Sequence, residues 1–347
     1  MSSPSNSSSA QDRLSPDDAL PPVEPPSAGF ILQLFIVPGA IVLIIVMVWL
    51  MFHWLAQQGN DPEAYVAALE RNNEARWQAA VNLANVLGND QAKGYDALKH
   101  DANLSRRLAQ ILSSEMDAGS MEERPVTLRI FLCRTLGEVS VPEGMPALLK
   151  TASVNRDEKE LPVRRAAVEA VALLWDSLRR EGKLKNVDQA QVDSTLLATS
   201  EDEDQLLRST AAYTLGVIGD EAAIERLNSM LTDSYPDARY NAALGLARNG
   251  DPRCAATIVE MLDLDDAKGV EIEQESDLRE FKRGMLVVNA LRAVDQLLAK
   301  NPQAELPGVR AAVDKLLDAK IDTNIRAQAR ATKKLLDERP SPQPGKI

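Results

Sequence analysis

Hydrophobic positions follow two different patterns along the chain. Residues 29–56, GFILQLFIVPGAIVLIIVMVWLMFHWLA, contain no Asp, Glu, Lys or Arg and are apolar almost throughout. Roughly 20 apolar residues in a helix suffice to cross the hydrocarbon core of a bilayer. The stretch therefore predicts a single transmembrane helix, with Trp49 and Trp54 near the headgroup layer. A cleaved signal peptide is disfavoured because the run is about twice the usual apolar length and only Arg13 precedes it.

From residue 60 to residue 339 the apolar residues instead recur at spacings of three and four, the period of an amphipathic helix. No segment combines an alternating pattern with β-branched residues, so this region is predicted to be all-α. The flanking segments 1–28 and 340–347 are rich in Ser and Pro and cannot bury enough apolar surface to fold, so both are predicted to be disordered tails.

An internal repeat predicts how the helices are arranged. Residues 206–231, LLRSTAAYTLGVIGDEAAIERLNSML, align with residues 237–262, DARYNAALGLARNGDPRCAATIVEML, at a shift of 31 residues. An arginine, an Ala-Ala pair and a Gly-Asp step coincide. Repeats of this length are typical of solenoids, in which each unit packs only on its neighbours. Ala211 and Ala242 are expected to be buried at close helix contacts.

These Arg, Ala-Ala, Leu-Gly and Gly-Asp positions resemble the HEAT-repeat family, specifically the short bacterial repeats of phycobilin lyases. Weaker copies surround Arg76, Arg129 and Arg164, and a charged helix over residues 325–337 would cap the array. The resemblance implies an all-α fold: a right-handed α-solenoid of about seven HEAT-like helical pairs, over residues 60–339, after the single transmembrane helix.

Candidate chemistry is sparse. The sequence has two histidines, His53 and His100, and no phosphate-binding or nucleophile motif. HEAT-like enzymes such as deoxyhypusine hydroxylase carry repeated His-Glu pairs for two irons, and nothing comparable occurs here. We therefore expect no enzyme activity, no catalytic or metal residues and no cofactor. Cys133 and Cys254 lie in apolar helical patterns and are expected to be buried free thiols. The net charge of −12 disfavours nucleic-acid binding.

The remaining hypothesis is a bacterial, membrane-anchored scaffold or adaptor that binds protein partners, among them subunits of a membrane complex, and contacts the lipid bilayer through residues 29–56. No small-molecule substrate is expected. Arg71 and Arg76 follow the apolar stretch and only Arg13 precedes it, which favours a single-pass protein of the cell membrane with a cytoplasmic solenoid. The alternatives are a bilin lyase-like enzyme or chaperone, and a purely structural spacer.

The expected partner surface consists of residues one, five and nine positions after the repeat arginine position. Aromatic and Arg side chains are enriched at binding hot spots. Ordinary packing between repeats is an equally good explanation for aromatic residues at these positions. The acidic insertion at residues 263–276 is a separate feature, and it is either a solvated loop or a docking site for a basic partner. The candidate surface residues are Trp77, Val81, Tyr213, Tyr240, Leu244 and Arg248.

Overall fold

The computed structural model describes residues 27–58, 62–71, 76–89 and 96–338. The chain divides into two compact units after Asp61. The expected tail at residues 340–347 lies outside the described residues, as does all but the end of the tail at residues 1–28.

The first unit contains one long helix, α1 (Ala28–Gln58), which includes Pro38. Its segment Ala28–His53 is the one helix of the described chain that is long and apolar enough to cross a membrane. Apolar side chains along it are exposed on all sides, as at Phe35, Ile45 and Phe52. The apolar helix expected from the sequence is thus present, with ends close to residues 29 and 56.

The described residues of the second unit are mainly helical. The helices are α2 (Pro62–Glu70), α3 (Arg76–Leu87), α4 (Asp96–Lys99), α5 (Ala102–Ala118), α6 (Glu123–Glu138), α7 (Met145–Ser153), α8 (Leu161–Arg180), α9 (Gln189–Thr199), α10 (Gln205–Ile218), α11 (Glu221–Met230), α12 (Pro236–Arg248), α13 (Ala255–Leu262), α14 (Ser276–Lys300), α15 (Val309–Asp318) and α16 (Thr323–Asp337). The described part of the chain contains no strand.

These helices form two layers. Helices α3, α6, α8, α10, α12, α14 and α16 pack one on the next and form layer A. Each also packs on the helix that precedes it in the pairs α2–α3, α5–α6, α7–α8, α9–α10, α11–α12, α13–α14 and α15–α16. The first member of each pair belongs to layer B. The described residues therefore contain seven helix pairs in succession, which confirms the predicted α-solenoid.

The turn between α10 and α11 follows the expected Gly-Asp pattern. Gly219 ends α10 with φ of 71°, a left-handed conformation that costs glycine little. Asp220 then caps α11, because its carboxylate accepts a hydrogen bond from the backbone N–H of Ala223 at 2.8 Å. Both residues therefore act locally, in stopping one helix and starting the next.

The core between the layers consists mainly of leucine, valine and alanine. Ala211 and Ala242 are fully buried, as predicted from the repeat. Cys133 and Cys254 are buried and free, which confirms that expectation too. Burial raises the pKa of both thiols to about 12, so neither is ionised at neutral pH.

The repeat arginines form ion pairs that connect layer A to layer B or to the segments that follow it. Each lies in the first half of a layer A helix and bonds a carboxylate from the following layer B helix or from the segment that connects that helix to the next layer A helix. The pairs are Arg76–Glu115, Arg129–Glu160, Arg164–Asp202, Arg208–Asp233 and Arg239–Glu260. The arginine side chains also donate to backbone carbonyls, for example from Arg76 to Leu69 at 2.8 Å. These five arginines therefore have a structural role, because their charges are already neutralised.

Candidate partner surface

Side chains from three consecutive layer A helices line a cleft of about 310 Å³. We call it the Tyr213 cleft. Tyr213 projects from α10, and α12 contributes Leu244 and Arg248, four residues apart and so on one face of that helix. The other polar side chains at the cleft are Asn241 of α12 and Asn289, Arg292 and Gln296 of α14.

Two residues that line the Tyr213 cleft form a cation–π pair. The guanidinium carbon of Arg248 lies 5.6 Å from the centroid of the Tyr213 ring. The tyrosine side chain is 41% exposed. A guanidinium stacked on an aromatic face keeps its N–H donors at its edge, and these remain able to bond another group.

Arg248 and Arg292 are the charged residues that line this cleft, and no acidic residue lines it. Within the described ranges, no carboxylate lies within ion-pairing distance of either guanidinium. By contrast, the repeat arginine Arg239 on the same helix as Arg248 pairs with Glu260 at 2.6 Å. The Tyr213 cleft is therefore a local cationic site on a chain whose net charge is −12.

A second cleft, of about 520 Å³, lies between α3, α6 and α8. Here the guanidinium carbon of Arg134 lies 5.0 Å from the centroid of the Phe131 ring. Glu138 and Glu169 also line this cleft, and the exposed Leu173 lies at its edge. Because its charges are mixed, this second cleft does not share the cationic character of the Tyr213 cleft.

The structure brings three of the six expected surface residues together: Tyr213, Leu244 and Arg248 line one cleft. Trp77 and Val81 lie on α3, near the other end of the layer A stack, and are half-buried. They take no part in this cleft.

The expectation that Tyr240 faces a partner is wrong, because only 3% of it is exposed. Its hydroxyl donates to Glu260 Oε1 at 3.1 Å and approaches the backbone oxygen of Lys268 at 3.4 Å. Its ring lies directly against Gly269, where a Cβ would be 2.6 Å from Tyr240 Cε2. Residues after α13 fold back over the ring, which a repeat alignment does not reveal.

The acidic insertion at residues 263–276 is partly bound by the protein itself. Lys315 donates to Asp263 and Asp265 at 2.9 and 3.0 Å, and hydrogen bonding to Lys315 lowers the pKa of Asp263. Lys282 lies 3.5 Å from Glu273, and Val270 is buried. The insertion is therefore not a simple solvated loop, and several of its carboxylates already have basic partners.

The sequence missed the residues that α14 contributes to the Tyr213 cleft: Asn289, Arg292 and Gln296. Helix α14 has 25 residues and lacks the Arg-Ala-Ala pattern of α10 and α12, so it does not align with them. These polar residues recur at a spacing of three and four and therefore lie on one face of the helix, and this spacing is the sequence feature that could have identified them. That they lie beside Tyr213 depends on the stacking of α12 and α14.

In the described residues there is no group of three or more His, Cys, Asp and Glu side chains arranged to hold a metal ion. His100, the one histidine of the second unit, bonds the backbone oxygen of Asp96 at 2.8 Å and Glu181 Oε1 at 3.0 Å. Hydrogen bonding, chiefly to Asp96, raises the pKa of His100. Both ring nitrogens are thus engaged in local bonds.

Comparisons with known proteins agree with the repeat pattern. The profile of a family described as HEAT repeats matches residues 192–276, which include α10 to α13. This match supports the HEAT-repeat resemblance over the segment that carries the clearest repeats. The chain has no match among curated proteins.

The solved structures that match this chain have low sequence identity to it. The X-ray structure of YibA from Escherichia coli is 15% identical, with a TM-score of 0.36, and the alignment covers 81% of this chain and 96% of YibA. Human deoxyhypusine hydroxylase, solved in complex with glycerol, is 16% identical with a TM-score of 0.31; 82% of this chain and 99% of that protein are covered.

Proposed function

We propose that the protein is a membrane-anchored scaffold or adaptor that binds a protein partner through the exposed face of layer A. In this proposal α1 spans the cell membrane once and the solenoid lies in the cytoplasm. Anchoring to the membrane would raise the effective concentration of the solenoid near partners in the same membrane. A subunit of a membrane complex is the favoured kind of partner.

The observation that carries the proposal is the Tyr213 cleft. An exposed tyrosine, a stacked arginine and further amide side chains form a concave site on the face of three adjacent helices. Tyr and Arg are the residues that most often dominate the binding energy of protein interfaces. Arg248 and Arg292 also lack an acidic partner among the described residues, so both are free to bond a partner's polar groups. A structural spacer has no need for such a site.

Site-specific photo-crosslinking in native membranes tests the partner surface. A photoreactive amino acid is placed at Gln296, which lines the Tyr213 cleft, or at Ala222, an exposed position of layer B on α11. We expect a discrete protein adduct from Gln296 and none from Ala222. Arg248→Ala should weaken the adduct while leaving the melting temperature nearly unchanged. No adduct from Gln296, or equal adducts from the two positions, contradicts the proposal.

The anchor is tested separately. Full-length protein should stay in the membrane fraction after carbonate washing, because α1 would be held by its apolar length and not by surface charge. Protease added to intact cells should leave the solenoid undigested if it is cytoplasmic. Release by carbonate contradicts the anchor, and digestion of the solenoid contradicts the orientation. Visible absorbance after addition of a bilin would instead support the lyase-like alternative.

A further inference from the structure

Apolar side chains are exposed along the first half of α14, which is longer than the other helices of its layer. Leu278, Phe281 and Met285 are 48%, 66% and 46% exposed and lie at spacings of three and four, on one face of the helix. Phe281 and Met285 of this face line an open groove of about 1130 Å³, whose other walls come from the start of α16 and from the segment after α13. We call it the Phe281 groove.

The walls of the Phe281 groove are mainly apolar. Leu264 and Val270 line it from the segment after α13, Val288 lines it from α14, and Ile321 and Ile325 line it from the region where α16 begins. Exposed apolar patches that are rimmed by polar residues often mark sites at which another molecule binds. The groove therefore has the character of a binding site for apolar side chains.

The Phe281 groove and the Tyr213 cleft adjoin each other at α14. Asn289 and Arg292 of α14 line both. A ligand that crosses α14 at these two residues therefore reaches the cationic cleft on one side and the apolar groove on the other. A peptide segment has the length to do this, whereas a small molecule confined to either site does not.

The charges at the two sites favour an acidic ligand. Arg248 and Arg292 line the Tyr213 cleft without an acidic neighbour in it. At the Phe281 groove, Arg279, Arg283 and Lys320 accompany Arg292, and the acids there are Glu271, Glu280 and Asp322. Asp322 already accepts a hydrogen bond from the backbone of Asn324 at 2.7 Å, as the cap of α16. Cations thus predominate along the shared path, although the whole chain is acidic.

We infer that the Tyr213 cleft and the Phe281 groove together bind one peptide segment of a protein partner, in which carboxylates adjoin apolar side chains. The inference rests on the proposed function and specifies the chemistry of its partner. Asp or Glu side chains of the segment accept hydrogen bonds from Arg248 and Arg292, which the planar guanidinium donates in pairs. Leu, Ile, Met or Phe side chains of the same segment fill the Phe281 groove.

Selection from a library of random peptides tests this chemistry. Full-length protein in lipid nanodiscs is the bait, and empty nanodiscs remove background binders. We expect the enriched peptides to carry Asp or Glu within a few residues of large apolar residues. The tightest of them, synthesised with a fluorophore, then serves as the probe for binding measurements.

Three variants link the probe to the two sites. Arg248→Glu with Arg292→Glu should weaken its binding about 100-fold, because two attractive contacts become repulsive. Phe281→Ser should weaken it about tenfold through lost apolar contact. Lys185→Glu, which changes an exposed lysine between α8 and α9, is the matched control and should leave binding unchanged. Thermal unfolding of each variant shows that the fold is kept.

Other outcomes overturn the inference. Enrichment of basic or uncharged peptides, no enrichment over empty nanodiscs, or a probe unaffected by the double charge reversal each contradicts it. A phospholipid that stays bound in native mass spectrometry and is lost in Phe281→Ser would identify the groove as a lipid site instead. If the Gln296 adduct still forms in membranes under any of these outcomes, the scaffold function stands and only the peptide chemistry is wrong. If the Gln296 adduct is absent as well, the scaffold function and the peptide chemistry are both wrong.

Discussion

Gly216 of α10 and Gly245 of α12 meet backbone to backbone where the two helices cross. A Cβ built on Gly216 would lie 2.6 Å from the Cα of Gly245, closer than real Cβ contacts. Gly137 of α6 meets Ala170 of α8 in the same way, with a corresponding distance of 2.9 Å. Gly245 also lines the Tyr213 cleft. The small residues thus set the spacing of layer A and the floor of the candidate site.

Gly216→Ala should destabilise the solenoid although alanine is the better helix former. The propensity gain is at most about 1 kcal/mol, whereas forcing two backbones apart costs about 1–3 kcal/mol. The control is Gly284→Ala in α14, where the nearest atom to a new Cβ is Ile325 Cδ1 at 3.7 Å. Thermal or chemical unfolding should show Gly216→Ala as the less stable variant. Equal stabilisation by both changes would mean that the helices do not cross at these glycines.

Arg129→Met should be strongly destabilising. Arg129 and Glu160 are both fully buried and lie 3.3 Å apart, and Arg156 Nη2 bonds the same carboxylate at 2.5 Å. Burial lowers the pKa of Arg129, but its neighbour's charge opposes that shift. Removing one member of a buried pair leaves the other poorly compensated and costs about 3–5 kcal/mol.

The double variant Arg129→Met with Glu160→Gln is the check on that mechanism. It should recover part of the lost free energy of unfolding, since Glu160 no longer carries a buried charge that has lost one of its two arginine partners. Chemical unfolding of the two variants measures the difference. A double variant no more stable than the single one would show that packing of the arginine side chain, and not its charge, matters.

Tyr240 and Tyr213 should respond in opposite ways to truncation. Tyr240→Ala empties a buried site and should cost about 3–5 kcal/mol of unfolding free energy, whereas Tyr240→Phe loses only a hydrogen bond, about 1 kcal/mol. Tyr213→Ala removes an exposed ring and should cost less than about 1 kcal/mol while weakening the Gln296 adduct. A large loss of stability in Tyr213→Ala would place that ring in the core.

Asp193 should make stability depend on pH. Gln189 Nε2 bonds Asp193 at 3.2 Å and Asp220 at 2.6 Å, so the two carboxylates are close. Burial, with the nearby charge of Asp220, raises the pKa of Asp193 to about 6. The unfolded value is about 3.9. The folded protein therefore holds the extra proton, and this group's contribution to stability falls as pH rises from about 4 to about 6.

Asp193→Asn should stabilise the protein at pH 7 by about 1 kcal/mol, less than the full shift implies because the carboxyl is partly exposed. The gain should shrink toward zero near pH 4. Glu203→Gln, an exposed acid in the turn before α10, is the control for a lost negative charge. Urea unfolding at both pH values measures the difference. A gain that persists unchanged at low pH would rule out titration of Asp193 as its cause.

The repeat pattern predicted much of the fold from local information. The Arg, Ala-Ala and Gly-Asp positions predicted helix pairs, and α10 to α12 confirm them, because caps, small contacts and helical periodicity are encoded within about 30 residues. Burial of Ala211, Ala242, Cys133 and Cys254 follows from the same periodicity. The apolar stretch likewise predicted α1 within two residues at each end.

The repeat pattern predicted only some of the residues of the candidate site. Tyr213, Leu244 and Arg248 occupy equivalent or nearby turns of two recognisable repeats, so their common cleft follows from the solenoid. Tyr240 obeys the same rule and is nevertheless buried, because Lys268 and Gly269 return over it after an irregular turn. Sequence periodicity describes one helix at a time and carries no information about where an insertion folds back.

By itself, the sequence determined the helices, their pairing and the apolar segment, since these depend on contacts among residues close along the chain. The tertiary structure decided which arginines are neutralised and which are free. Arg239 finds Glu260 at the end of the next helix, whereas Arg248, nine residues on, stacks on Tyr213 of the neighbouring pair. That difference sets the charge of the candidate site, and it arises because the stacking of helix pairs brings together side chains that are distant in sequence.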